Sequence, residues 1–164
     1  MLFRSQHKVV SVHLRGAERA VIERLTTNSV PGILHWYTGP NTLIDTALAG
    51  NLRFSINPSM LRTAKGRSLI AALPPDRVLA ETDGPHGRIG QRPARPSDIA
   101  WVVDQVASIW NRHPTDTAAL FHSNFVELFN ATVGSESAGQ GAAGLDSPAQ
   151  ALARDHPQGR ASST

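Results

Sequence analysis

Residues 77–85, RVLAETDGP, are the stretch that decides the fold of this 164-residue chain. A short apolar run, Val78–Ala80, leads into two acidic residues, Glu81 and Asp83, and is broken at once by Gly84-Pro85. Short apolar runs that are bounded by turn residues are typical of buried strands in parallel sheets. The two carboxylates are therefore expected at the carboxyl end of a strand, where α/β barrels and open α/β sheets carry their chemistry.

The same pattern occurs three times before this stretch. Apolar or β-branched runs at residues 9–13, 32–36 and 52–57 predict three further strands. The first two runs are followed by apolar residues at helical spacing, in residues 17–25 and 43–48. Strands that alternate with helices predict an α/β protein with a parallel sheet and helices outside it.

The remaining segments complete this strand–helix order. A polar, basic loop is predicted at residues 59–66, a short helix at 67–73, a second loop at 86–95, a long amphipathic helix at 97–111, and a last helix from 117 to about 130. From about residue 134 the composition changes to Gly, Ala, Ser, Gln and Asp without aromatic residues. This change predicts a folded domain over residues 1–133 and a disordered, low-complexity tail over residues 134–164.

Composition narrows the chemistry. The chain has no cysteine, so disulfides, thiolate metal sites and a cysteine nucleophile are excluded, and any metal must be held by His and carboxylate. Sixteen basic and thirteen acidic residues give a net charge of +3, a mild lean toward phosphate-bearing partners. No apolar run approaches the ~20 residues of a membrane span, and the first residues are too polar for a secretion signal. We expect a cytoplasmic protein without membrane contact.

Three of the four predicted strands end near a side chain that can bind a metal: His13, His35 and Asp83. Taken singly, each is more often a cap or a loop hydrogen-bonding residue. Taken together, the three residues favour a functional site, because a barrel brings the carboxyl ends of its strands to one face. Two imidazoles and a carboxylate suit a divalent ion such as zinc or manganese. Asp83 can bind that metal, orient a water or take its proton.

Basic side chains follow the strand ends on the same predicted face: Arg15, Arg62, Lys65, Arg88, Arg92 and Arg95. A solvated rim and a phosphate-binding surface both remain open for them. Trp36, beside His35, can stack on a nucleobase, although packing is the commoner role of such a residue. We take Arg15, Trp36, Arg62 and Arg88 as the substrate-binding candidates.

Four segments together resemble the TatD family of metal-dependent hydrolases: HLRGA (residues 13–17), LHWYTG (34–39), VLAETDGP (78–85) and HSNFVELF (122–129). Within that family, three motifs resemble those of the QatD nucleases of Qat anti-phage cassettes: HWYTGP, FSINPSMLR and ETDGP. The resemblance implies a TIM-type barrel that hydrolyses phosphodiester bonds in DNA with a divalent ion, Zn, Mn or Mg. By motif position, it makes His13, His35 and Asp83 residues of the metal site.

The resemblance covers only part of such a barrel. The family's His-x-His pair and its bridging Glu, which earlier strands carry, have no counterpart in this sequence. The chain is therefore expected to form the carboxyl-terminal half, a partial TIM-type barrel made of the last four strand–helix units. An amino-terminal half, other proteins of a defence cassette, or another copy of the chain would be its partners besides DNA.

Three functional hypotheses stay open at this point. The first is a metal-dependent deoxyribonuclease, in anti-phage defence by the resemblance. The second is a catalytically inactive fragment that docks with other proteins. The third is a basic nucleic-acid-binding module. Metal-dependent turnover distinguishes the first hypothesis from the others, whereas salt-sensitive binding without turnover favours the third.

Overall fold

The structure, a computed structural model, describes residues 8–133. Its centre is one sheet of four parallel strands in sequence order, β1 (Val10–His13), β2 (Gly32–His35), β3 (Arg53–Ile56) and β4 (Val78–Ala80). The predicted α/β class with a parallel sheet is thus confirmed. The predicted tail, residues 134–164, lies outside the described residues.

Helices follow the strands and bury one face of the sheet. They are α1 (Glu18–Thr27), α2 (Ile44–Ala49), α3 (Pro58–Leu61), α4 (Ala64–Ala72), α5 (Ile99–Trp110) and α6 (Pro114–Val133). Leu34, Phe54 and Val78 are fully buried on this face and belong to one core with Ile22 of α1 and Val106 of α5. Burial of each large apolar side chain stabilises the fold by roughly 1.5–3 kcal/mol. No helix within residues 8–133 combines the length and the hydropathy that a membrane span requires.

The prediction of a loop over residues 59–66 is wrong, because two short helices include most of these residues. The side chain of Asn57 accepts hydrogen bonds from two backbone N–H groups of α3, and Pro58 occupies the first helical position. Thr63 caps α4 in the same way and starts that helix at Ala64, three residues before the predicted start. Side-chain caps satisfy backbone donors at a helix start, so they can begin short helices in a polar stretch.

The predicted loop at residues 86–95 contains a small antiparallel hairpin, β5 (Arg88–Ile89) and β6 (Arg92–Pro93). Two hydrogen bonds from the Arg92 guanidinium to the Asp98 carboxylate, at 2.7 and 2.6 Å, fasten this hairpin to the start of α5. These bonds, together with one from the backbone N–H of Arg95, lower the pKa of Asp98 to about 2.

The sheet is open at both edges in the part of the chain that the structure describes. No strand of residues 8–133 pairs with the outer side of β1 or of β4. Beside β4, Asn124 of α6 donates hydrogen bonds to the carbonyl oxygens of Pro75 and Val78, both at 2.8 Å. Four large apolar side chains on α5 and α6 remain exposed: Ile99, Phe125, Val126 and Phe129. A groove of about 500 Å³ separates these helices from the uncovered face of the sheet.

Candidate functional site

His13, His35 and Asp83 lie together at the carboxyl ends of the strands. His13 ends β1 and His35 ends β2, and the two residues are register partners. Their ring centroids are 5.5 Å apart. Nε2 of His35 lies 3.4 Å from Oδ1 of Asp83. The structure therefore brings the three predicted side chains to one edge of the sheet, because parallel strands all end there.

Glu81 completes this group, although sequence reasoning did not place it among the site residues. Its Oε2 lies 2.8 Å from Nδ1 of His35. Burial raises the pKa of Glu81, while His35 and the hydroxyl of Ser55 act in the opposite direction. The signal that could have found Glu81 was its position directly after the strand, in the same carboxyl-end segment as Asp83.

His35 is held between two carboxylates, one at each ring nitrogen. A neutral imidazole carries one proton and can donate to only one of them. If Nδ1–H donates to Glu81, the lone pair of Nε2 is left beside the anionic Asp83. A cation bound by both Nε2 and the Asp83 carboxylate would offset the repulsion between these two groups.

The distance between the two donors suits a metal ion. Two ligands at ~2.0–2.2 Å from a tetrahedral ion are about 3.3–3.6 Å apart, and Nε2 of His35 and Oδ1 of Asp83 are 3.4 Å apart. Glu81 stands where a carboxylate often orients a metal-binding histidine from its far nitrogen. However, no three His, Asp or Glu side chains of residues 8–133 converge closely enough to hold an ion by themselves. His35 and Asp83 are therefore suited to be two ligands of a metal ion, and further ligands are needed to complete its coordination.

Two residues of the site have a left-handed backbone. Trp36 has a φ of 48° and Asp83 a φ of 50°, and each follows a strand end. A left-handed conformation costs a residue with a side chain roughly 1–2 kcal/mol. Such positions are often found at functional sites, where the surrounding structure maintains them. The left-handed backbone therefore sets the direction in which each of these two side chains points.

The substrate-binding candidates fall into two groups. Arg15 and Trp36 line a pocket of about 280 Å³ together with His13, and the indole of Trp36 stands edge-on to the His13 ring at 5.9 Å. Arg62 and Arg88 are exposed and do not line this pocket. The Arg88 guanidinium donates instead to the carbonyl oxygen of Gln91, within the turn of the β5–β6 hairpin. Contact of these side chains with a substrate stays a prediction.

Comparison with known proteins gives a family match over most of the chain. The sequence model of the family described as "TatD related DNase" matches residues 2–130. Among curated proteins, "Uncharacterized metal-dependent hydrolase YabD" of Bacillus subtilis (strain 168) is 28% identical over 129 residues, which are 73% of this chain and 50% of that protein. The chain thus spans about half the length of this relative.

Solved structures show the same fold. YJJV, a TatD homolog from Escherichia coli K12, superposes with a TM-score of 0.69 at 21% identity, over 79% of this chain and 52% of that one. A TatD family hydrolase from Entamoeba histolytica gives 0.65 at 16% identity, over 75% and 51%. An uncharacterized amidohydrolase from Saccharomyces cerevisiae gives 0.63 at 13% identity, over 72% and 52%.

Proposed function

Because this chain belongs to the TatD-related DNase family, we propose that it supplies part of the active site of a metal-dependent hydrolase that cleaves phosphodiester bonds in DNA. The observation that carries the proposal is the arrangement of Glu81, His35 and Asp83. One carboxylate binds Nδ1 of the imidazole at 2.8 Å, and the other faces Nε2 at 3.4 Å. This is the separation of two donors that share one divalent ion.

Each side chain has a distinct part in this proposal. His35 and Asp83 would hold a divalent ion, which would supply Lewis-acid chemistry there by polarising a phosphoryl oxygen and activating water. Glu81 would accept a hydrogen bond from Nδ1–H of His35 and so keep the lone pair of Nε2 directed at the site. The free carboxylate oxygen of Asp83 can take a proton from the attacking water. Arg15 offers a guanidinium to a phosphate of the substrate.

We further propose that the four strands are the carboxyl-terminal half of an eight-stranded barrel. Three observations support this: the chain spans about half of its relatives, the edges of β1 and β4 are unpaired within residues 8–133, and a groove of about 500 Å³ runs along the sheet. Closure by further strands would cover the open edges and bring additional metal ligands to the same face. An amino-terminal half or a second copy of the chain would supply those strands.

The assignment to one branch of the family rests on the amino-acid sequences of three motifs. We propose a place in the QatD branch, and hence a cytoplasmic role in anti-phage defence, from HWYTGP, FSINPSMLR and ETDGP. A plaque assay with the intact cassette and with Asp83→Asn in this chain tests the assignment. Equal plaque counts with and without the substitution would contradict it.

The substitution Asp83→Asn tests the hydrolase itself, because it keeps the shape of the side chain but removes the charge that a divalent ion needs. The assay measures DNA hydrolysis with manganese or zinc, with a complementary barrel half supplied, and circular dichroism monitors the fold. We expect turnover to be abolished and the fold to be retained. Asp45→Asn, on the exposed side of α2, is the matched control and should remain active. Unchanged hydrolysis by Asp83→Asn would remove Asp83 from the site.

A second candidate function is nucleic-acid binding without turnover. The absence of a three-ligand group among the described residues favours it. In that case DNA binding would weaken steeply with salt, and neither chelator nor metal would change it. Chelator-sensitive hydrolysis by the assembled protein would exclude this alternative.

A further inference from the structure

A second pocket lies beside the candidate metal site, and none of the roles given so far uses it. Its volume is about 250 Å³, and it is formed between the segment after β2 and the segment of α3 and α4. The lining includes Trp36, Tyr37, Ser59, Met60, Lys65 and Leu69. Pockets for whole drug-sized ligands occupy about 300–1,000 Å³. This one is therefore sized for a single ring system rather than for a whole oligonucleotide.

The inner walls of the pocket are apolar and fixed. Met60 and Leu69 are only 2% and 3% exposed, and Tyr37 is fully buried. The Tyr37 hydroxyl donates a hydrogen bond to the carbonyl oxygen of Pro40 at 2.7 Å, which anchors the ring. Gly66 approaches the backbone of Met60 so closely that a Cβ there would lie 2.0 Å from the carbonyl oxygen. The pocket is consequently preformed, and an apolar ligand face would not have to order it.

Trp36 forms the wall between this pocket and the one that contains His13 and Arg15. Its left-handed backbone, with a φ of 48°, is unfavourable for an aromatic residue. The backbone N–H donates to the hydroxyl of Ser55, at 3.4 Å. A conformation of this kind is maintained by its surroundings, and here it places an aromatic ring against both an apolar pocket and the candidate metal site.

Polar groups lie around the apolar walls. The ammonium group of Lys65 donates to the carbonyl oxygen of Thr38 at 3.0 Å and keeps two further protons, because an ammonium group has three donors. Ser59 lines the pocket, and its hydroxyl makes no hydrogen bond to any residue in 8–133. An apolar slot with a cation and a free hydroxyl suits a flat ring that has polar edges and an attached anion. A nucleotide has these properties.

We propose that this pocket binds one nucleobase of the substrate, stacked on Trp36, while Lys65 neutralises an adjoining phosphate. The proposal rests on the proposed function, since it identifies the part of a DNA strand that this side of the site would hold. It adds a specific prediction: recognition of the base is separable from the metal and from the phosphate.

The test is calorimetric binding to the full chain in the presence of a chelator, so that no metal contributes. The probes are 2′-deoxyadenosine 5′-monophosphate, 2-deoxyribose 5-phosphate, which lacks only the base, and phenyl phosphate. Since stacking on an aromatic side chain is worth ~1–3 kcal/mol per base, we expect the nucleotide to bind at least about fivefold more tightly than 2-deoxyribose 5-phosphate. The ratio should fall to about one in Trp36→Ala and be largely kept in Trp36→Phe.

Lys65→Met is the complementary variant. It should weaken the binding of the nucleotide and of 2-deoxyribose 5-phosphate by the same factor and reduce the salt dependence of both. The ratio of their two affinities should be retained. Equal affinity of the unaltered chain for the nucleotide and for 2-deoxyribose 5-phosphate would overturn the proposal. A ratio of these affinities that Trp36→Ala leaves unchanged would overturn it as well. Phenyl phosphate that binds as tightly as the nucleotide would overturn the assignment to a base.

These results are separate from the hydrolase assay. If the protein hydrolyses DNA with metal and the complementary barrel half, but the chain binds the nucleotide and 2-deoxyribose 5-phosphate equally, the base pocket alone is refuted. If the chain shows the base-dependent ratio, but no metal gives hydrolysis once the complementary half is supplied, the pocket is supported and the proposed catalytic function is refuted.

Discussion

The substitution Glu81→Gln tests whether the carboxylate behind His35 serves a metal site. Glutamine has nearly the same shape as glutamate and can still accept a hydrogen bond from Nδ1 of His35, now 2.8 Å from the carboxylate. What the substitution removes is the negative charge. We expect the variant to fold at least as well as the parent without metal, because burial already disfavours the ionised form of Glu81. We expect it to bind a divalent ion less tightly.

The size of the loss follows from the contact. A hydrogen bond to a charged group is worth ~1.5–3 kcal/mol and one between neutral groups ~0.5–1.5 kcal/mol, so the charge contributes about 1–1.5 kcal/mol. That is about a tenfold loss of metal affinity, at the lower end of the ~10–100-fold loss reported for such supporting residues. At metal concentrations well above both dissociation constants, stabilisation by the metal falls by about 1.4 kcal/mol. The metal-induced rise in Tm then shrinks by about 3–6 °C for a domain of this size.

The assay is thermal unfolding with and without manganese or zinc, on the protein assembled with its complementary half. Glu23→Gln is the matched control, because Glu23 makes an exposed helix pair with Arg19 at 3.6 Å, on the surface of α1. That control should show the parent's metal-induced shift. If Glu81→Gln shows the same shift as Glu23→Gln, the carboxylate does not support a metal ligand and the reasoning fails.

Three further predictions concern the rest of the chain. Replacing Arg62 and Arg88 by Ala together should weaken DNA binding and reduce its salt dependence, measured by fluorescence anisotropy; an unchanged salt slope would leave them a solvated rim. The Asp98 carboxyl should titrate near pH 2 by NMR, and because its folded pKa is depressed, the stability it contributes is present above the unfolded pKa of ~3.9 and lost as the pH falls through the folded value. Arg92→Met should return that pKa toward the ordinary range. Gly66→Ala should destabilise the fold by about 1–3 kcal/mol in denaturant titrations, because a backbone carbonyl occupies the space of the new methyl group; a loss within error would show that α4 can shift.

The strands were the most predictable part of the structure. The runs predicted at residues 9–13, 32–36 and 52–57 are β1, β2 and β3, with ends that differ by one residue at most. Apolar runs that end at turn residues are a local signal, so no tertiary information is needed to find them. The short helix α3 and the β5–β6 hairpin were missed, because single side-chain caps and a few backbone bonds hold them without an apolar pattern.

The grouping of His13, His35 and Asp83 could be anticipated in outline, since the carboxyl ends of parallel strands share one edge. The supporting role of Glu81 could not, because the sequence does not reveal which nitrogen of His35 faces which carboxylate. The same holds for Arg53, which is 1% exposed and pairs with Glu127 of α6 at 3.1 Å. A charged residue within a predicted strand gave no indication of a partner that is 74 positions away in the chain.

The sequence by itself determined the α/β class, the order of strands and helices, the TatD family and the short list of side chains at the strand ends. These depend on local patterns and on motifs that are read residue by residue. Only the tertiary structure decided the 3.4 Å approach of His35 to Asp83 and the pocket beside Trp36. Distances between side chains that are far apart in sequence depend on strand register and on backbone conformations such as the left-handed Trp36. Both are selected by the packing of the whole domain and not by any one segment.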